Sequence, residues 1–237
     1  MSRESCDILL SLEAVTVHAD GRKILESFSL DVSKAESVAL LGRNGSGKTT
    51  LLRTIAGLKR FSSGEITLDG GIGMVFQNPE SALFGATVEE NLAFPLQSLQ
   101  LDRNRIFERI QQSARKFGLT EILDRDILTL SGGQRQLVSI AAALISEPSI
   151  LLLDEPLSMM DRQDRESILQ TVSEIVGSET SVLFATNRFS EVVGFDRFVI
   201  IGNRRKLFDG GIEELKRTPS VFYEAGMSVP FEIVQSC

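Results

Sequence analysis

GRNGSGKT, residues 42–49, fits the pattern G-x-x-x-x-G-K-[ST] and lies between an apolar run, SVALL (37–41), and the helix-like TLLRTIAG (50–57). At average composition a chance match somewhere in such a chain has odds of roughly one in a hundred, and the order strand, loop, helix lowers them further. Glycines let backbone N–H groups wrap around phosphate oxygens, the Lys48 ammonium reaches the outer phosphates, and the Thr49 hydroxyl can ligate Mg²⁺. Gly42, Arg43, Asn44, Gly45, Ser46, Gly47, Lys48, Thr49 and Thr50 are therefore candidates for holding the phosphates of a nucleotide.

Outward from this loop, short apolar runs recur: IGMVF (72–76), SILLLD (149–154), SVLFAT (181–186) and RFVIIG (197–202), most of them followed by helix-like sequence. That order predicts a mostly parallel sheet with helices on both faces, an α/β fold. Ahead of it, residues 8–18 and 24–32 alternate apolar and polar positions around ADGRK (19–23) and predict an antiparallel hairpin. From Thr87 to about Leu130 no strand is legible, whereas DRNRIFERIQQSARKFG (102–118) puts Ile106, Ile110 and Ala114 on one helical face, with Phe107 and Phe117 beside it. The expected organisation is a nucleotide-binding domain over 1–220 with a helical subdomain inserted at about 87–130, then a C-terminal tail over 221–237 that carries a short helix and no motif.

Composition narrows the classes. With 237 residues and 42% apolar content the chain fills a core and reads as one large domain with a subdomain. Charged residues make up 24% and the net charge is -7, which disfavours a sequence-independent nucleic-acid binder, so no nucleic-acid partner is expected. The two cysteines, Cys6 and Cys237, sit at opposite ends, which leaves no disulfide framework or metal spacing and fits a reducing compartment. Ser11 and Glu13 interrupt the apolar run of MSRESCDILLSLEAV (1–15), so no signal peptide is expected. LVSIAAALI (137–145) is far short of the ~20 apolar residues that span a bilayer and suits a buried helix.

Two further stretches carry chemistry. SILLLDEP (149–156) ends an apolar strand on Asp154 and Glu155. A carboxylate at the C-terminal edge of a parallel strand can partner a nucleotide-bound Mg²⁺, the candidate being Asp154, and Glu155 could polarise an attacking water. A structural alternative is that both cap the following turn. LSGGQRQ (130–136) is a glycine turn at the start of a helix, where free N–H groups and the helix dipole suit a second phosphate. Ser131 also reads as the N-cap of that helix.

Together GRNGSGKTT, Gln77 in VFQNPE, LSGGQ, LLLDEP and Asp161 in SMMD resemble, in order and spacing, the ATP-binding subunits of ABC transporters over about residues 8–218. The resemblance implies an ABC ATPase with ATP and Mg²⁺ as its ligands. Two such domains, as homodimer or heterodimer, would pack head to tail, so that Ser131, Gly132, Gly133 and Gln134 of one cover the γ-phosphate held by the other. It also implies that Gln77 contacts Mg²⁺ or the lytic water where the helical insertion meets the core, a junction that senses the membrane subunits. Asp161 would cross the dimer interface, its structural alternative being the N-cap of RQDRESILQTVSEIV (162–176). A finer resemblance links VFQNPESALFGATVEENLAF (75–94) to energy-coupling-factor importers of metal ions and vitamins. It implies integral membrane transporter subunits as partners and a peripheral place on the cytoplasmic face of the cell membrane.

The chain departs from that pattern in three places. Asn187 stands where the family usually has a histidine switch on the γ-phosphate; asparagine donates a hydrogen bond but neither carries imidazolium charge nor shuttles a proton. It reads equally as a shift in function or as a cap for the next helix in TNRFSEVV (186–193). His18 occupies the position where an aromatic usually stacks on adenine, its structural alternative being an ordinary surface histidine of the hairpin, and Ala35 replaces a glycine in the turn before SVALL. These departures imply a partner with better residues and a slower site on this chain's own phosphate loop. The alternatives are a regulatory half of an ATPase heterodimer, or a soluble ABC ATPase outside transport.

Overall fold

The computed structural model describes residues 8–158, 160–176 and 179–234; Cys6 and Cys237 lie outside them. Two compact units divide the chain: the described residues up to Gly70 together with those from Val176 onward, and Gly71–Ile175.

The first unit opens with the hairpin legible in the sequence, β1 (Ile8–Ala19) and β2 (Arg22–Ser33). Its two-residue turn, Asp20-Gly21, has φ of 50° and 72°, the positive values that a type I′ hairpin turn requires. β3 (Ser37–Leu41) follows, buried at every residue, then α1 (Lys48–Ile55). β4 (Ser63–Leu68) pairs antiparallel with β1 and completes a three-stranded sheet β2-β1-β4. Gly64 crosses so close to β1 that a Cβ there would lie 2.6 Å from the Val15 Cα.

The second unit begins with β5 (Ile72–Val75). The predicted helical insertion consists of α2 (Val88–Ala93), α3 (Arg103–Lys116) and several 3₁₀ turns, and among the described residues its one bridge to an extended partner joins Thr87 to Asp126. On α3, Ile110 and Ala114 are buried, Ile106 is half-buried, and Phe117 is buried past the helix end. Phe107, beside that face, is 56% exposed. α4 (Gly132–Leu144), β6 (Ile150–Asp154) and α5 (Arg162–Val176) complete the unit, with β6 parallel to β5.

The chain then returns to the first unit as β7 (Ser181–Thr186), β8 (Arg197–Gly202) and β9 (Arg205–Gly210). β3 lies between β7 and β8, parallel to both, and β9 closes the order β7-β3-β8-β9 antiparallel to β8. Three short helices follow, α6 (Ile212–Arg217), α7 (Ser220–Glu224) and α8 (Phe231–Val234). Val221, Phe222 and Ile233 are buried, and the Phe222 ring meets Phe189 edge-on at 6.1 Å. The α/β class, the mostly parallel core, the N-terminal antiparallel region and the helical insertion are thus present as expected.

Arg197 ties these layers of the first unit together. Its guanidinium grips Asp209 of β9 with two nitrogens, approaches Glu36 at 3.5 Å and donates to the Asp31 carbonyl of β2 at 2.8 Å. Burial pushes the Asp209 carboxyl up, but hydrogen bonds from Arg197 and Lys206 outweigh it and hold the group below its ordinary value. A carboxylate depressed in the folded state contributes stability above its unfolded pKa of about 3.9 and loses it as pH falls through the folded value. Arg197→Met, which takes the guanidinium away from Asp209 and Glu36 while Lys206 still reaches Asp209, is expected to cost about 3 kcal/mol at neutral pH in urea denaturation, a gap that shrinks below about pH 4. In the turn before β3, Ala35 holds φ of 55°. Ala35→Gly should raise stability by about 1 kcal/mol in the same assay.

Candidate nucleotide-binding site

In the first unit the phosphate loop is built by β3. Its five buried residues fix where the strand ends, and the chain turns at once through Gly45 (φ 79°) and Gly47 (φ 108°) into α1. Gly42 is confined: a Cβ there would lie 2.5 Å from Ser46 Oγ and 2.7 Å from the Ile201 carbonyl oxygen. The Ser46 N–H donates to the Arg43 carbonyl at 3.1 Å, which closes the loop on itself. Lys48 is only 3% exposed, and its ammonium donates to the carbonyls of Gly42 at 2.8 Å and Arg43 at 3.2 Å. No side chain caps α1 and its first turn carries no acid, so the positive end of the helix is suited to an anion. Thr49 and Thr50 follow on that turn, half-buried.

Asn187, just past β7, does not cap the next turn. Thr186 Oγ1 takes the Arg188 N–H at 3.0 Å, while Asn187 Nδ2 donates to Asn44 Oδ1 of the phosphate loop at 2.8 Å. The capping alternative therefore falls, because the neighbouring threonine reaches that N–H and the amide is free to turn to the loop. His18 is exposed near the end of β1, its Nδ1 2.7 Å from Ser62 Oγ.

In the second unit, Asp154 ends β6 and is 1% exposed, and Glu155 follows half-buried at φ of 44°. A non-glycine residue in that conformation costs about 1–3 kcal/mol and is typical of functional positions. Ser131 caps α4 in a reciprocal box: its Oγ accepts the Gln134 N–H at 3.1 Å, and Gln134 Oε1 accepts the Ser131 N–H at 3.0 Å. Asp161 Oδ1 accepts the Asp164 N–H at 2.9 Å and caps α5, as its structural alternative predicted. Gln77 lies exposed after β5. Asn78 next to it accepts the Glu80 N–H, and Glu80 is bridged at 2.9 Å to Arg135 on the first turn of α4.

Three features were not read from the sequence. Besides the Glu80–Arg135 bridge, Asp164 Oδ2 accepts the Gly133 N–H at 3.1 Å. Phe84 and Phe94 stack at 4.9 Å although they are 68% and 48% exposed. Buried Asn91 holds Phe84 outward, its Oδ1 accepting the N–H groups of Phe84 and Gly85 and its Nδ2 donating to the carbonyls of Gly85 and Thr87. An asparagine six residues past a glycine, in a helix-initiating stretch, was the available signal.

Thr49, Asp154 and Gln77 offer a hydroxyl, a carboxylate and an amide, all hard oxygen donors of the type Mg²⁺ accepts. Among the described residues no group of three or more His, Cys, Asp or Glu side chains forms a metal cage.

The family model described as ABC transporter matches residues 25–158. The energy-coupling factor transporter ATP-binding protein of Leuconostoc mesenteroides is 33% identical over 228 residues, 90% of this chain and 84% of that protein. Its counterpart in Bacillus subtilis is 34% identical over 224 residues, 89% of this chain and 80% of that protein. Among solved structures, cbiO1 from Clostridium perfringens, part of the ABC transporter complex cbiONQ, superposes with a TM-score of 0.80 at 26% identity, covering 97% of this chain and 99% of that one. A metal-chelate type ABC transporter in an inward-facing conformation gives 0.82 at 26% identity, over 92% and 89%. Lys48→Ala should weaken binding of a fluorescent ATP analogue at least tenfold, about 1.4 kcal/mol, with the fold intact by circular dichroism.

Proposed function

We propose, from the premise that this chain belongs to the ABC transporter family of ATP-binding proteins, that it is the ATP-hydrolysing subunit of an importer of the energy-coupling factor type. The observation that supports this most is the phosphate loop, with its left-handed glycines, its buried Lys48 and a helix N-terminus left uncapped by side chains.

In this reading the backbone N–H groups of residues 42–49 and the Lys48 ammonium bind the phosphates of ATP. Thr49, Asp154 and Gln77 would hold Mg²⁺, which when bound neutralises charge on the outer phosphates. Glu155 accepts a proton from water as its oxygen attacks the γ-phosphorus and the bond to the ADP oxygen breaks. A second ATP-binding subunit presents its own glycine turn to that ATP, and Ser131, Gly132, Gly133 and Gln134 of this chain serve the partner's. Asp161 couples the two sites. Loss of the γ-phosphate releases the pair and moves the membrane subunits.

Those membrane partners have a surface to meet on the second unit. The exposed Phe84–Phe94 stack suits an apolar helix end, and Glu80–Arg135 leads from the Gln77 segment to the glycine turn. No helix among the described residues is long and apolar enough to cross a membrane. The chain works peripherally, on the cytoplasmic face of the membrane, and its cargo is a metal ion or a vitamin.

A specific observation favours a slow site on this chain's own phosphate loop: the Asn187 amide is neutral and committed to Asn44. Asn187→His should then raise ATP turnover about tenfold or more; turnover unchanged by the substitution would remove the asymmetry. Affinity purification from native membranes, with mass spectrometry, tests the importer itself. Recovery of a second ATPase and integral membrane proteins is expected, whereas recovery of ribosomes or repair factors alone would exclude it.

A further inference from the structure

The glycine turn that opens α4 is already satisfied from within the chain. Ser131 Oγ takes the Gln134 N–H, and the Gly133 N–H donates to Asp164 Oδ2 at 3.1 Å. A Cβ at residue 133 would collide with that carboxylate, so glycine is what admits it. Asp164 is itself held from the other side, its backbone N–H donating to Asp161 Oδ1 at 2.9 Å, and the Arg165 N–H donates to the Asp161 carbonyl at 3.1 Å. One hydrogen-bonded relay thus runs from Asp161 through Asp164 to Gly133.

A phosphate arriving at this helix start needs backbone N–H groups. The Asp164 carboxylate, also an anion, holds one of them and repels the arriving charge. The two cannot share the Gly133 amide, so the carboxylate withdraws or the phosphate binds less tightly. We infer that Asp164 is a positioning residue of the glycine turn, a built-in competitor that sets how much ATP is needed before two subunits close on each other. Withdrawal is linked to the interface. Asp161 and Asp164 share one capped turn, so a shift of Asp161 on meeting the partner carries Asp164 away from Gly133. This rests on the reading that residues 131–134 face a partner's ATP.

The test uses the full chain in three forms: unchanged, Asp164→Asn, which keeps the shape and removes the charge, and Asp164→Ala. Sedimentation velocity follows self-association as Mg²⁺ and a non-hydrolysable ATP analogue are titrated. Both substitutions are expected to lower the nucleotide concentration for half-maximal pairing about tenfold. A residue that merely supported the helix would do the opposite. A half-point that stays or rises in both variants overturns the inference. So does a failure of all three forms to pair, because releasing the competitor must make pairing easier. Binding of a fluorescent ATP analogue to the same samples reports separately on the phosphate loop. If the unchanged chain binds none, it is the ATP-binding reading that has failed.

Discussion

Burial of β3 on both faces is the constraint from which the first unit's chemistry follows. Its five residues, Ser37–Leu41, lie between β7 and β8 with none exposed, so the strand cannot slide without turning apolar side chains out of the core. The strand end is therefore fixed, and with it the loop that turns through Gly45 and Gly47 into α1. Arg197 secures the same region from the far end of the strands, through Glu36 just ahead of β3, Asp209 on β9 and the Asp31 carbonyl on β2. A site for a highly charged ligand needs such a frame, because its donors must already stand in place when charge arrives.

The second unit handles the same problem differently. Its glycine turn is not held open by sheet packing but closed by side chains: a capping box within the turn and a carboxylate from α5. Glu155 sits in a left-handed conformation directly after a buried strand, so the backbone there is strained while its side chain stays partly accessible. One unit thus offers donors in a rigid cradle and the other offers them under local competition.

Much of the fold was legible because strands buried on both faces leave continuous apolar runs. β3, β6, β7 and β8 lie within one residue of the runs that predicted them, and the Asp20-Gly21 turn marked the hairpin. β4 and β9 were not legible, since SGEITL and RKLFDG pair at sheet edges and bury no residue fully. The motif residues of the phosphate loop and the cap at Ser131 could be read from spacing, which is local. What Asn187 touches could not, because its partner lies 143 residues away and is chosen only when β7 comes to rest beside β3. The same holds for Asp164 in the first turn of α5, whose partner, the Gly133 N–H, lies 31 residues away on α4. Phe107 and Phe117, both expected beside the buried stripe of α3, end on opposite sides of its boundary, exposed and buried.

The Phe84–Phe94 stack has a consequence for the life of the chain apart from any partner. Asn91 fixes the backbone at Phe84, Gly85 and Thr87 with four hydrogen bonds, so moving that segment to bury the Phe84 ring would orphan those groups, and Phe94 stacks on a ring that stays in water. Left uncovered, that patch is a sticky surface that grows stickier on warming, as apolar association does. The same two rings that suit a binding surface thus also set a limit on how concentrated the free chain can stay in solution.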